Sequence, residues 1–177
     1  DPDREVTANI ERIERRIAET LRTWEDHLRA ELQARLPAER ATELATRIEG
    51  AFPVSYQEDV PAAEALPDLL ELLQLSDSPQ ALGLELRRGG SGPGHLQLRL
   101  YRRGAPVAMS DLLPLLENFD LRIRNERPYR ILNGDGTALR IQDLEVTHAR
   151  GRQLDPHQAG ARFEEAYRAR FAFLMPE

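Results

Sequence analysis

Residues 98–119, which read LRLYRRGAPVAMSDLLPLLENF, decide the fold. Leucines alternate with polar residues up to Leu100, a pattern that predicts a strand with one buried face. Gly104 and Pro106 predict a turn after that strand. Ser110 and Asp111 then predict a helix start, because a serine hydroxyl caps free backbone N–H groups and a carboxylate favours the positive end of the helix dipole. The stretch therefore predicts a strand, a turn and a leucine-rich helix.

Two more strands and a second helix are predicted on the C-terminal side. Residues 121–131 and 139–147 flank the turn-forming residues 133–136 and predict a hairpin. Pro128 places the first of these strands at an edge or a bulge, because proline cannot donate to the ladder. Residues 155–158 open a final helix with an aspartate cap and a proline at its first position. Its buried face is expected to carry four large side chains: Phe163, Tyr167, Phe171 and Leu174.

A further strand is predicted on the N-terminal side. Leucines alternate with other residues over 82–86, as they do over 96–100, and the glycine-rich residues 89–94 lie between the two runs. A phosphate-binding loop is the alternative for these glycines, but the lysine of a P-loop and the helix of a dinucleotide site are both missing. We therefore interpret residues 82–102 as a hairpin, and the order from residue 82 onward is ββαββα.

Residues 1–76 predict a helical region. One apolar stripe runs through nine positions at intervals of three or four: Val6, Ile10, Ile13, Ile17, Leu21, Trp24, Leu28, Leu32 and Leu36. Packing of this stripe on a neighbouring helix or domain is favoured over a self-associating rod. Pro37 ends the helix, residues 38–49 predict a second one with Gly50 as C-cap, and 61–75 predict a third that is interrupted by Pro67. Residues 52–56 are expected to be an irregular apolar crossing.

The composition excludes several classes of function. The chain has 177 residues, a net charge of −6 and no cysteine, and all 24 of its basic residues are arginine. A Schiff-base lysine, a lysine general base, a cysteine nucleophile and a disulfide are therefore excluded, and broad nucleic-acid binding is disfavoured. No apolar run is long enough to span a membrane, and no signal peptide is visible. Because the sequence does not begin with methionine, we expect it to be a piece of a longer chain.

The sequence also offers no catalytic or metal-binding constellation. None of the four histidines has the i, i+4 spacing of a helical metal site, so each is expected to be exposed or locally bonded: His27, His95, His148 and His157. Ser110 lies outside any nucleophile elbow and is explained as a helix cap. We therefore expect no catalytic, cofactor-binding or metal-binding residues here.

Several runs of residues resemble a known family. The strand and helix of 98–119, the stretch Leu121-Arg122-Ile123 and the stretch Asn125-Glu126-Arg127-Pro128-Tyr129 are similar to the regulatory ACT-like segment of large bacterial NAD-dependent glutamate dehydrogenases. That segment lies just before their catalytic domain. Residues 141–144 and 162–167 continue the resemblance, and residues 24–28 and 55–58 resemble the family's helical lead-in. Asp120 departs from the pattern, since the family usually has a glycine there.

The resemblance implies an α+β fold. Residues 1–76 are expected to form an N-terminal helical hairpin or bundle, and 80–175 a two-layer ACT-like (ferredoxin-like) antiparallel sheet with two helices on one face. ACT modules have βαββαβ order, so the strand at 82–88 would have to replace their last strand, which would permute the order. The family's catalytic lysines would lie beyond Glu177.

The resemblance also implies a function for the chain. It would be a non-catalytic regulatory or assembly segment of a cytoplasmic, homo-oligomeric NAD-dependent glutamate dehydrogenase, with NAD bound in the catalytic domain of the parent protein. Its partners would be other domains of the same polypeptide, with no nucleic acid and no membrane. The alternative is an allosteric sensor that binds an amino-acid effector through Gly104, Ser110 and Asp111.

Overall fold

A computed structural model describes residues 23–77, 82–90, 92 and 94–171. The first part is helical: α1 (Trp24–Arg35), α2 (Ala38–Arg47), α3 (Val54–Asp59), a 3-10 turn (Ala62–Glu64) and α4 (Ala65–Asp77). The second part mixes strands and helices: β1 (Leu82–Arg88), β2 (His95–Arg103), α5 (Met109–Asn118), β3 (Leu121–Leu132), β4 (Ala138–His148) and α6 (Pro156–Phe171). The predicted order ββαββα is confirmed.

The helical region folds around the apolar stripe of α1. Thr23 and Asp26 form a capping box at its start, and Leu28 and Leu32 are buried. Trp24 packs against Phe52 and donates from its indole nitrogen to the carbonyl of Val60 at 2.8 Å. From Trp24 to Leu36 the stripe is thus covered by the helices that follow it, as predicted. Its residues before Thr23 lie outside the described residues.

Two local predictions in this region are wrong. Residues 52–56 are not an irregular crossing, because α3 begins at Val54 directly after Pro53. Pro67 does not interrupt the third helix, because it falls in the first turn of α4, where its missing N–H removes no helical hydrogen bond.

The sheet has four antiparallel strands in the order β1-β2-β4-β3. In the ferredoxin-like order the last strand lies beside the first, and here β1 occupies that place beside β2. The permutation that the sequence implied is therefore confirmed. β3 is an edge strand that contains Pro128, as predicted, and its bulge lies elsewhere, between Ile123 and Asn125.

The two faces of the sheet are covered by different parts of the chain. Helices α5 and α6 pack on one face over buried side chains that include Leu98, Leu144 and Val146, and α6 contributes Phe163, Tyr167 and Phe171. Leu174 lies outside the described residues. The helical region packs on the opposite face over Tyr101, Tyr129, Ile131, Leu139 and Ile141. The two helices on one face are confirmed, and the helical region adds a third layer.

Residues 118–121 turn from α5 into β3 through a left-handed residue. Asp120 has φ of +55°, where a non-glycine side chain costs on the order of 1–2 kcal/mol. Its amide donates to the carbonyl of Glu117 at 2.9 Å, and its carbonyl accepts from Ala149 at 2.6 Å. The aspartate at this family glycine position therefore keeps the turn.

Candidate functional site

Asp68 marks the place where the helical region meets the sheet. It lies on α4, among leucines, and its side chain is completely buried. Its carboxylate accepts hydrogen bonds from the hydroxyls of Tyr56 and Tyr101, the latter at 2.6 Å, and from the Arg99 guanidinium. Tyr56 belongs to α3, while Tyr101 and Arg99 belong to β2. One carboxylate therefore connects two helices of the helical region with a central strand.

Arg99 carries this network across the sheet. Its Nε lies 3.2 Å from an oxygen of Asp143, which stands directly opposite on β4. Gln97 donates from Nε2 to both oxygens of Asp143, at 2.8 and 2.7 Å. Arg87 on β1 donates to Gln97 Oε1 at 2.8 Å. We call Asp68, Arg99 and Asp143, all of them buried, the junction cluster.

The electrostatics of the junction cluster keep Arg99, and the two tyrosines that donate to Asp68, protonated. Burial raises the pKa of Tyr56 and of Tyr101, and the adjacent Asp68 carboxylate raises both further. Burial acts to lower the pKa of Arg99, but Asp68 and then Asp143 raise it on balance. Each group therefore remains a hydrogen-bond donor at neutral pH, and the cluster fixes geometry.

A polar cleft of about 180 Å³ opens beside the junction cluster. Its lining is Gly89, Gly90, Gln97, Asn125, Arg127, Asp143 and Glu145. Arg127 also lies 3.5 Å from Asp59, and Glu145 lies 3.3 Å from a ring nitrogen of His95. Because two carboxylates and one guanidinium share this cleft, its lining suits a small molecule that carries both charges.

The structure places Gly104 at the end of β2 with φ of +81°, exposed to solvent. Its amide donates to Ala138, and its carbonyl accepts from Arg140 Nε at 3.0 Å. A side chain built there would meet no described atom within 4 Å. Glycine is therefore needed here for its backbone conformation.

The predicted cap at Ser110 is wrong. Helix α5 begins at Met109, Ala108 is its N-cap, and no side chain accepts from the first turn. The start is set by long-range contacts: Val107 donates its amide to Gln142 Oε1 at 2.7 Å, and Gln142 Nε2 donates to the Val107 carbonyl at 3.1 Å. Ser110 is exposed in the first turn, beside Asp111, whose carbonyl accepts from Arg170. The three predicted effector residues thus lie along one connection, from the end of β2 to the start of α5.

Sequence patterns missed the junction cluster. A signal for Asp68 existed, since it is a single carboxylate within a leucine-rich helix face. Arg99 alternates with Leu98 and Leu100, and that alternation predicted a solvated polar face. The helical region covers that part of the face, so Arg99 is only 3% exposed.

No group of histidine and carboxylate side chains in residues 23–77, 82–90, 92 and 94–171 is arranged to hold a metal ion. Within the same ranges no helix has the length and apolar character needed to cross a membrane.

Comparisons with known proteins match parts of both the helical region and the sheet region to glutamate dehydrogenase models. Residues 81–159 match the family model described as glutamate dehydrogenase, ACT3 domain, and residues 31–75 match glutamate dehydrogenase, helical motif 2. The chain is 33% identical to the NAD-specific glutamate dehydrogenase of Halomonas elongata over 168 residues, which is 93% of this chain and 10% of the relative.

Two further NAD-specific glutamate dehydrogenases are similar to the chain. The protein from Pseudomonas aeruginosa is 29% identical over 167 residues, 94% of this chain and 10% of that protein. The protein from Mycobacterium tuberculosis is 28% identical over 140 residues, 79% of this chain and 8% of that protein. The chain thus spans about a tenth of the length of the curated relatives it matches.

Proposed function

The chain carries the helical motif 2 and the ACT3 domain of the glutamate dehydrogenase family, and from that premise we propose that it is a non-catalytic segment that regulates or assembles an NAD-dependent glutamate dehydrogenase. The parent enzyme would oxidatively deaminate L-glutamate to 2-oxoglutarate and ammonia. NAD would bind in its catalytic domain, outside these 177 residues. The absence of lysine from the sequence supports this division of roles, because a lysine general base is unavailable here.

The junction cluster is the observation that carries the proposal. It ties α3 and α4 to β2 and β4 through buried, charge-assisted hydrogen bonds. Separating the helical region from the sheet would break these hydrogen bonds and expose the apolar side chains that the two parts bury between them, such as Tyr101 and Ile141, which is unfavourable. The two parts should therefore move as one body, which is what a segment that transmits a signal between domains requires.

The edges of the sheet support the assembly role. Among the described residues β1 pairs only with β2, and β3 only with β4, so each outer strand has one side on which no described strand pairs with it. Pro128 and the bulge protect β3, while β1 is a regular strand without proline. We propose that β1 faces a second protomer or another domain of the same cytoplasmic, homo-oligomeric polypeptide.

The alternative function is that of an allosteric sensor for an amino acid. The start of α5 supports it in the stretch that holds Gly104, Ser110 and Asp111, because the backbone N–H of Ser110 has no hydrogen-bond partner among the described residues and can meet a carboxylate. The cleft of mixed charge beside Asp143 supports it at a second place. A thermal shift of the chain with single amino acids would favour this function, and no shift with any of them would leave the assembly role.

The regulatory role is tested in the full-length enzyme. Asp68→Leu combined with Arg99→Met and Asp143→Asn removes all three charges of the junction cluster together, a change that buried ion pairs and triads often tolerate. We expect the basal rate of glutamate oxidation to persist, while the response to amino-acid effectors and the molecular mass by light scattering change. An unchanged response and an unchanged mass would contradict the proposal. Calorimetry on the 177-residue chain should detect no NAD binding, and saturable binding would contradict the non-catalytic assignment.

A further inference from the structure

Three arginines lie side by side across the face of the sheet that carries α5 and α6. Arg102 on β2 stands directly opposite Arg140 on β4, and Arg140 stands directly opposite Arg130 on β3. Directly opposed residues of antiparallel strands project from the same face, and their Cβ atoms are about 5 Å apart. The three residues, which we call the arginine row, therefore span roughly 10 Å between the outer two.

The arginine row has no acidic partner among the described residues. None of its three guanidinium groups lies within ion-pair distance of a described carboxylate. Other exposed arginines of the chain do pair, as Arg168 does with Glu164. Like charges directly opposite each other destabilise a sheet, so an anion bound to the row would relieve a repulsion that the fold itself leaves in place.

A second observation comes from α6, which packs on the same face of the sheet. The hydroxyl of Tyr167 is fully buried and has no hydrogen-bond partner among the described residues. Burial raises the pKa of Tyr167 to about 12, and the guanidinium of Arg102 lies near enough to act against that rise. The hydroxyl therefore keeps its proton at neutral pH and is an unused donor in the neighbourhood of the row.

We propose that the arginine row binds a small polyanion, a molecule with two or more carboxylate or phosphate groups. A guanidinium group binds either anion through paired N–H donors. Because the three groups are spread over the row, several linked anionic groups neutralise it better than a single one does. The row also adjoins the predicted effector residues, since Arg140 donates to the carbonyl of Gly104. The regulatory consequence rests on the proposed function, whereas the binding itself does not.

The binding is tested with the 177-residue chain by calorimetry and thermal unfolding. Citrate represents a polycarboxylate and pyrophosphate a polyphosphate, with acetate and sodium chloride as controls at equal ionic strength. We expect citrate or pyrophosphate to raise the melting temperature and to bind saturably, because a ligand of the native state stabilises it. Comparing the two dissociation constants identifies which anion the row prefers.

Matched variants locate the binding. Arg130 is exposed, so Arg130→Gln should fold normally, weaken the binding about tenfold and raise the melting temperature without anion, since it removes both a ligand group and a repulsion. Arg140→Gln should behave alike. Arg124→Gln is the control, because Arg124 is exposed on the same strand roughly 20 Å from Arg130. The affinity of the control should match that of the unaltered chain.

Three results would overturn the polyanion site. They are no shift with either polyanion beyond that of sodium chloride, an equal loss of affinity in Arg124→Gln, and a full-length enzyme whose own acidic residues already cover the row so that citrate and pyrophosphate no longer bind. Binding that is present in the full-length enzyme without any effect on its rate would keep the site and contradict its regulatory use.

Discussion

The charged side chains on the two faces of the sheet differ in burial and in pairing. On the face toward the helical region, Asp68, Arg99 and Asp143 are buried and mutually bonded. On the face toward α5 and α6 the buried side chains are mostly apolar, and the arginine row has no acidic partner among the described residues. Buried and paired charges specify one docking geometry, because any shift of the helices leaves a charge without its partner. Unpaired charges instead remain available to a ligand.

The largest effect is expected from breaking the junction cluster. Asp68→Ala leaves Arg99 with half of its counter-charge and leaves two tyrosine hydroxyls without an acceptor. Removing one partner of a buried pair costs about 3–5 kcal/mol, so the free energy of unfolding should fall by that amount in urea denaturation followed by circular dichroism. A loss below about 0.5 kcal/mol, the scale of surface substitutions, would show that the cluster does not hold the helical region.

Two controls separate charge from packing in that experiment. Asp68→Leu with Arg99→Met and Asp143→Asn removes all three charges of the junction cluster and should cost clearly less than Asp68→Ala. Leu144→Ala on the apolar face should cost about 2–5 kcal/mol through a cavity. If this triple variant is less stable than Asp68→Ala, the paired charges stabilise the fold in their own right.

Local patterns predicted most of the fold and little of the junction. The order of strands and helices, the edge position of Pro128 and the buried face of α6 follow from periodicity and from proline chemistry, which act over a few residues. Asp68 and Arg99 are 31 residues apart, and Arg99 and Asp143 are 44 apart. No local signal joins such positions. The start of α5 was mispredicted for the same reason, since Gln142 fixes Val107 from 35 residues away.

Alanine substitutions at two glycines test how tightly the two faces of β1 are packed. A Cβ on Gly83 would lie 2.9 Å from Tyr101 Cβ and 3.0 Å from Glu71 Oε2, so the helical region and β2 close tightly over it. Gly83→Ala should cost about 1–3 kcal/mol by overpacking. Gly160→Ala in α6 is the matched control. Its Cβ would lie 3.3 Å from Leu86 Cβ, and its gain in helix propensity of about 1 kcal/mol should leave stability nearly unchanged. Equal losses would show that both faces of β1 are packed alike.

The stability of the chain is expected to depend on pH through Glu71, which lies on α4. The charges of Glu85 on β1, of Glu164 and Arg168 on α6, and of Asp68 on its own helix act on its carboxyl group. Burial raises its pKa, and Glu85 raises it further. The native state then holds a proton that the unfolded state releases, so stability is lost as pH rises from the ordinary range of glutamate through the raised pKa. Glu71→Gln should therefore melt at a higher temperature at neutral pH, and the difference should shrink as pH falls. Glu58→Gln, an exposed site on α3, controls for the loss of one negative charge. A difference that grows as pH falls would contradict this account.

The smallest effect is expected from removing the hydroxyl of Tyr167. This prediction compares it with Tyr101, whose buried hydroxyl lies on the opposite face of the sheet. The hydroxyl of Tyr101 donates to Asp68, so Tyr101→Phe should cost about 1.5–3 kcal/mol, the range for a hydrogen bond to a charged group. The hydroxyl of Tyr167 has no described partner and is already desolvated, so Tyr167→Phe should leave the free energy of unfolding unchanged or raise it by as much as about 1 kcal/mol. Urea denaturation of both variants, without added anions, measures the difference. If Tyr167→Phe costs as much as Tyr101→Phe, its hydroxyl is already bonded in the unliganded chain and is no longer a free donor for a polyanion at the arginine row. If only Tyr101→Phe is destabilised, the Tyr101 hydroxyl stabilises the fold on one face of the sheet. The Tyr167 hydroxyl on the other face is then free to donate to a ligand.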